Sequence, residues 1–322
     1  MAEKWNRNLG KWRAPRELTQ VFLYPTASLR FSELWGDKLA DIWVLTDGKP
    51  GHVNQSLGLA EALFRLRPDL QVTQVSVNVG WRLLTRSKPP KLIISAGRRT
   101  HLWSWICKLR FAARSIILMK PSLPIALFDM VFVPEHDQIG MSNPKVIQTR
   151  GALNRMLPGE KIHQSALILV GGPSKHVVWD DISVLHQIQR VLSHNEQIKI
   201  PVATSRRTPV AFLDKLKALE GVELILPEME GPNWLPETLG TTKRVWVTAD
   251  SVSMVFEALT AGCVVSLIGL ESTPNSRTQR GIQMLVDAGS IDYTTRFDSA
   301  AEIAPLAEAE RCAKILLERG IL

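Results

Sequence analysis

Cysteine is scarce in this 322-residue chain. Cys107, Cys263 and Cys312 lie too far apart to suggest a disulfide framework or a clustered metal site. Tyrosine is scarcer still, and neither Tyr24 nor Tyr293 opens a YxxxK pair. With GxGxxG also missing, a dinucleotide-dependent epimerase or dehydrogenase is disfavoured. The Walker A spacing is absent, as are a DxD carboxylate pair and any His/Cys cluster, so no protein-held metal and no cofactor is expected. Long hydrophobic runs are lacking too. The longest, near 125–133 and 263–270, fall short of the ~20 residues of a membrane-spanning helix. The start, MAEKWNRNLGKWRAPRE, has basic residues with no apolar run behind them, so a secretory signal is not expected and a cytosolic location is.

What is present is ordinary for a globular protein: 45% hydrophobic and 22% charged residues. That excludes a disordered, collagen-like or coiled-coil chain. The length suggests about two domains of ~150 residues. Charge is uneven. Residues 1–160 carry 23 Lys and Arg against 12 Asp and Glu, whereas 161–322 carry 16 against 19. A basic half implies an anionic partner on one side. Nucleic acid is the least favoured, because no paired zinc ligands and no aromatic RNP-like strand occur. Residues 1–40 combine Trp5, Trp12 and Trp35 with several basic residues. They read as an arm packed on the body or as an interfacial anchor for an anionic bilayer.

From residue 41 the pattern is β-α-β. Strands are predicted at 41–46, 71–77, 91–95, 116–119 and 128–133, with helices at 55–66 and 100–113. The segment 151–161 reads as a linker. A second cycle has strands at 166–170, 199–203, 222–226, 244–248 and 264–268, with helices at 180–192, 209–219, 251–261 and 300–319. Helices between apolar strands argue for parallel, doubly wound sheets, so the expected class is α/β with two Rossmann-like domains. The expected division is an arm at 1–40, a first domain at 41–158 and a second at 159–322, whose last helix can pack back. Ligands of such folds bind beyond the carboxyl ends of the strands.

Four loops at those ends could carry chemistry. The first, TDGKPGHVNQ, offers Gly48 and Gly51 for close approach, Lys49 as a cation, and Asn54 and Gln55 at a helix start. His52 is the leading general base, with Asp47 behind it. A capped Gly/Pro turn is the plainer reading of the same residues. The second, GGPSK, could cradle a diphosphate with Gly171, Gly172, Ser174 and Lys175. The third, SRRTP, brings Ser205, Arg206 and Arg207 to a strand end, either as phosphate ligands or as solvated charge. The fourth, VTADSVSMVFEAL, places Asp250, Ser251, Ser253 and Met254 at a helix start and Glu257 one turn on. His136 and Asp137 follow the 128–133 strand as a second base or a loop contact.

The runs IWVLTDGKPGHVNQSLGLAEAL, VFVPEHD, LVGGPSK, SRRTP and VTADSVSMVFEAL resemble the mitochondrial fission ELM (elongated mitochondria) family. Bacterial members of that family are regarded as glycosyltransferases of GT-B type, and plant members are adaptors in organelle division. The resemblance, from about residue 41 to 270, implies two facing Rossmann-like domains with the nucleotide sugar in the second and the acceptor in the first. GGPSK would then hold phosphate, and the 250–257 segment would meet the nucleoside and its ribose. The first loop departs from related GT-B enzymes in lacking a run of three glycines.

The expected function is a metal-independent GT-B glycosyltransferase of the bacterial cell envelope, using a nucleotide sugar and a glycan or glycolipid acceptor. It would lie on the cytoplasmic face of the inner membrane, held by the basic half and by Trp103 and Trp105. The rival is a non-catalytic membrane adaptor on the same scaffold.

Overall fold

The computed structural model describes residues 41–322 apart from 87, 138–142, 230, 232, 274–276 and 299–303, and excludes the side chains of 136, 272, 277 and 278. The expectations for the 1–40 arm fall outside the described residues.

Two parallel sheets organise the chain. The first contains β1 (Ile42–Thr46), β2 (Val72–Ser76), β3 (Leu92–Ala96), β4 (Arg114–Leu118), β5 (Met130–Pro134) and β6 (Val146–Thr149), in the order β2-β1-β3-β4-β5-β6. The second contains β7 (Ala166–Val170), β9 (Val202–Thr204), β10 (Leu224–Ile225), β11 (Arg244–Thr248) and β12 (Val264–Ile268), in the order β10-β9-β7-β11-β12. A small antiparallel pair joins β8 (Val177–Val178) to β13 (Glu271–Ser272).

Alternation along each central strand feeds two cores, which is why these strands read as continuous apolar runs. In β1, Ile42 and Val44 face a core shared with α1 (Pro50–Leu66), while Trp43 and Leu45 face Cys107 of α2 (Arg98–Phe111). In β7, Leu167 and Leu169 meet α6 (Val252–Thr260), and Ile168 meets α3 (Asp181–Ser193). The remaining helices are α4 (Val210–Lys217), α5 (Trp234–Thr241), α7 (Arg277–Asp287) and α8 (Glu308–Glu318). The last of these returns to the first sheet, where Ala309, Cys312, Ala313 and Leu316 join the α1 core. All three cysteines are buried and free.

The segment between the sheets is pinned rather than loose. Asn154 Nδ2 donates to Thr260 Oγ1 at 3.0 Å, and Arg155 Nε donates to Glu61 at 2.8 Å. Lys161 Nζ donates to the carbonyls of Leu239 (2.7 Å), Gly240 (3.1 Å) and Ala261 (2.6 Å), closing the ends of α5 and α6.

Gly58 of α1 lies against this segment, and a Cβ there would stand 2.3 Å from the Asn154 carbonyl oxygen. Gly58→Ala should therefore lower unfolding stability by about 1–2 kcal/mol, because the backbone clash exceeds the gain in helix propensity. Gly51→Ala, in the same helix with nothing near its Cβ, should be neutral or stabilising by about 0.5 kcal/mol. Chemical denaturation of both variants checks the contrast.

Candidate active site

The sites named from sequence gather at strand carboxyl ends. Thr46 ends β1, Val170 ends β7, Thr204 ends β9 and Thr248 ends β11.

The first loop is shorter than expected. α1 opens at Pro50, because a fixed φ and a missing N–H suit the first helical position. His52, Asn54 and Gln55 therefore stand in its first turns, and only 47–49 remain as loop, with Gly48 at φ +82°. Asp47 has no exposed side-chain surface and lies 3.0 and 3.1 Å from His52 Nδ1. Burial opposes its ionisation. Hydrogen bonds from His52 and the Lys49 amide, and the charges of both residues, outweigh burial and hold the carboxyl below its ordinary range. A carboxylate only accepts, so Nδ1 must donate, and in the neutral imidazole the lone pair is then on Nε2. Gly97 packs on the same ring, since a Cβ there would fall 2.3 Å from Nδ1.

In the second domain a single carboxylate joins three loops. Asp250 has no exposed side-chain surface, and its Oδ2 lies 2.7 Å from Arg207 Nη2. The same oxygen accepts the Gly172 N–H at 3.0 Å, and Oδ1 accepts the Thr248 hydroxyl at 2.6 Å. Arg207 Nη1 also donates to the Gly172 carbonyl at 3.1 Å. Ser205 Oγ donates to the Gly171 carbonyl at 2.9 Å. Asp250 and Ser205 thus build the site, and Arg207 joins them while its side chain stays 43% exposed. Lys175 and Arg206 are exposed, and Ser174 accepts the His176 N–H. Ser251 is buried at the start of α6 with its Oγ 3.4 Å from the exposed Ser253, and Met254 packs on the domain core.

One contact spans the two sheets' helices. Asn54 Nδ2 donates to Glu257 Oε1 at 2.7 Å. Glu257 keeps some open surface yet is enclosed by protein. Desolvation pushes its carboxyl up to about 7 against the opposing Asn54 hydrogen bond. Glu135, His136 and Asp137 form a 3₁₀ turn after β5. Among the described residues no group of three or more His, Cys, Asp or Glu could hold a metal ion.

Residues 50–320 match the family described as mitochondrial fission ELM1. The chain belongs to the mitochondrial fission ELM1 family. Within this ELM1-family chain, 86% aligns at 23% identity with 97% of the uncharacterized protein RP120 of Rickettsia prowazekii (strain Madrid E). Among solved structures, it is similar to the UDP-GlcNAc 2-epimerase of Methanocaldococcus jannaschii. The TM-score is 0.53 at 11% identity, covering 87% of this chain and 100% of that one. It is also similar to an E. coli ADP-heptose LPS heptosyltransferase II, with a TM-score of 0.46 at 11% identity, covering 70% and 84%. The fold of the ELM1-family chain is α/β of GT-B type, as its motifs implied.

Sequence reading passed over two participants. Thr208 holds the second and third loops together, donating to the Gly171 carbonyl at 2.5 Å; the SRRTP motif contained it but drew attention to its arginines. His101 is buried on α2, near His52. Its Nδ1 accepts the Ser122 N–H at 3.0 Å, so the proton sits on Nε2, which has no partner. Burial, with the charges of His52 and Arg98, pushes its pKa down to about 4.

A histidine whose folded pKa lies below its unfolded value stabilises fully above the unfolded value and loses that contribution as pH falls. For His101 the window runs from 6.5 down to about 4. Between pH 7.5 and 4 the protein should lose about 3 kcal/mol more stability than His101→Gln. Urea unfolding at each pH measures the difference.

Proposed function

We propose that this protein is a GT-B glycosyltransferase that moves a sugar from a nucleotide-sugar donor to a glycan or glycolipid acceptor of the cell envelope. The observation that supports this most is the 2.7 Å Asn54–Glu257 contact. It sets the α1 turn bearing His52 beside α6, whose leading loop meets the GGPSK and SRRTP loops through Asp250. A nucleoside diphosphate would lie over the α6 N-terminus, with Lys175 and Arg206 as exposed cations and Glu257 accepting from ribose hydroxyls.

In the reaction, His52 Nε2 takes the proton of the acceptor hydroxyl, and Asp47 stabilises the imidazolium that results. The acceptor oxygen bonds to the anomeric carbon as the bond from that carbon to the phosphate oxygen breaks. The electron pair leaves with the nucleoside diphosphate, whose charge the helix end and the cations stabilise. The name of the M. jannaschii neighbour, a UDP-GlcNAc 2-epimerase, makes UDP the first nucleotide to try.

At least one of UDP, CMP, GDP and dTDP should raise the melting temperature at millimolar concentration. Its affinity should increase from pH 6 to 8 as Glu257 ionises near pH 7, and Glu257→Gln should flatten that dependence. Four unchanged melting curves would remove the donor site.

His52→Ala should cut turnover by ~10²–10⁴-fold while nucleotide binding persists. Chelation with EDTA should leave the rate unchanged. Nucleotide binding with no turnover toward any acceptor would instead favour the non-catalytic adaptor on the same scaffold.

A further inference from the structure

α2 is built inside out. Its buried face holds Thr100, His101, Ser104 and Cys107, whereas Leu102 and Leu109 are 49% and 64% exposed. Those two leucines are seven residues apart, two turns, and so lie along one line of the helix. Beside them runs the 3₁₀ segment Val77–Thr85, whose Trp81 is 71% exposed. Its ring meets Trp103 edge-on with centroids 5.3 Å apart, and Arg99 Nη2 donates to Asn78 Oδ1 at 3.1 Å. Single exposed apolar side chains are common, but a grouped rim of indole and leucine marks a surface that meets something apolar.

The stretch of chain that carries this rim has charge of one sign. No Asp or Glu occurs between Asp69 and Asp129, a stretch that carries ten Lys and Arg. Arg82, Arg98, Arg99 and Arg110 are exposed. We propose that the Trp81–Leu102–Leu109 rim docks on the surface of an anionic lipid bilayer. Indole and leucine enter the headgroup boundary while the arginines meet lipid phosphates. A second copy of this chain would bring the same positive charge. Residues 1–40, with seven Lys and Arg against four Asp and Glu, carry that sign as well. A nucleic acid would satisfy the cations but leave the leucines in water. The N-terminal end of α2 meets the proposed base, since Gly97, directly before it, packs on the His52 ring. A docked bilayer would therefore lie beside the acceptor side of the cleft.

Co-sedimentation of the full chain with vesicles tests this. Phosphatidylcholine vesicles containing phosphatidylglycerol should retain the protein and pure phosphatidylcholine vesicles should not. Release is expected in 1 M salt, where the screening length is ~3 Å. Replacing Trp81→Ser and Leu102→Ser together should lower vesicle partition by roughly tenfold, with the melting temperature and any nucleotide-induced shift unchanged. Equal recovery with neutral vesicles, undiminished recovery of the double variant, or displacement of the protein from anionic vesicles by a single-stranded RNA would each overturn the proposal. The nucleotide shift, measured on the same samples, separates failure of docking from failure of the transferase reading.

Discussion

A carboxyl group with no exposed surface needs hydrogen bonds and an opposite charge in place of water. Asp250 meets that condition through the Gly172 amide, the Thr248 hydroxyl and the Arg207 guanidinium. Those partners come from the loops after β7, β11 and β9, so satisfying one buried charge fixes three loops at once. The same charge explains the glycine pair. A Cβ on Gly171 would fall 2.1 Å from Asp250 Oδ2, and one on Gly172 would fall 2.2 Å from the Arg207 carbonyl. GGPSK therefore needs its glycines for packing, before any phosphate is considered. Lys175 is the part of that loop that packing leaves unexplained.

The two sheets are joined by polar contacts of two kinds. Lys161 and Asn154 bind the connecting segment to the second domain, each donating to more than one acceptor. Asn54–Glu257 is a single bond from α1 to α6, and its acceptor titrates near neutrality. Together with Arg155 bound to Glu61 of α1, the first kind ties the connecting segment to both α1 and α6. The second is weak enough for a ligand hydroxyl to compete with Asn54 for the same oxygen. A junction that is firm at its linker and exchangeable at Asn54–Glu257 is compatible with the proposed nucleotide next to His52 on α1.

Much of this was legible in the sequence where one physical rule dominated. β7, β11 and β12 are uniform apolar runs between Gly-, Asp- or Lys-bearing turns, and they fall on the residues expected. The rule failed where elements carry few apolar residues or mixed signals. β6 is half-buried at an edge, α5 contains Pro236, and α7 carries several polar residues; none was foreseen. α1 began five residues early because a proline was read as a loop marker when it was a first-turn residue. The His52–Asp47 pair was named from chemistry alone. Its geometry depends on that early start, which brings residue 52 back over residue 47.

Tryptophan shows why residue type is a weaker guide than place. Trp103 and Trp105 were read together as a membrane-facing pair, yet successive odd positions on a helix point about 200° apart. Trp105 turns inward to the cluster of Ile117, Phe128 and Val131, while Trp103 meets the exposed ring of Trp81. The polar residues of α2 take the inward positions because partners wait there: the Ser104 and Ser115 hydroxyls lie 2.7 Å apart, and Thr100 Oγ1 donates to the Gly97 carbonyl at 2.8 Å. With those positions filled by hydroxyls and imidazole, the leucines are left outside. The outward apolar face is thus a consequence of how α2 is satisfied within the first domain, and the run from 70 to 128 without Asp or Glu gives the proposed anionic surface its rationale.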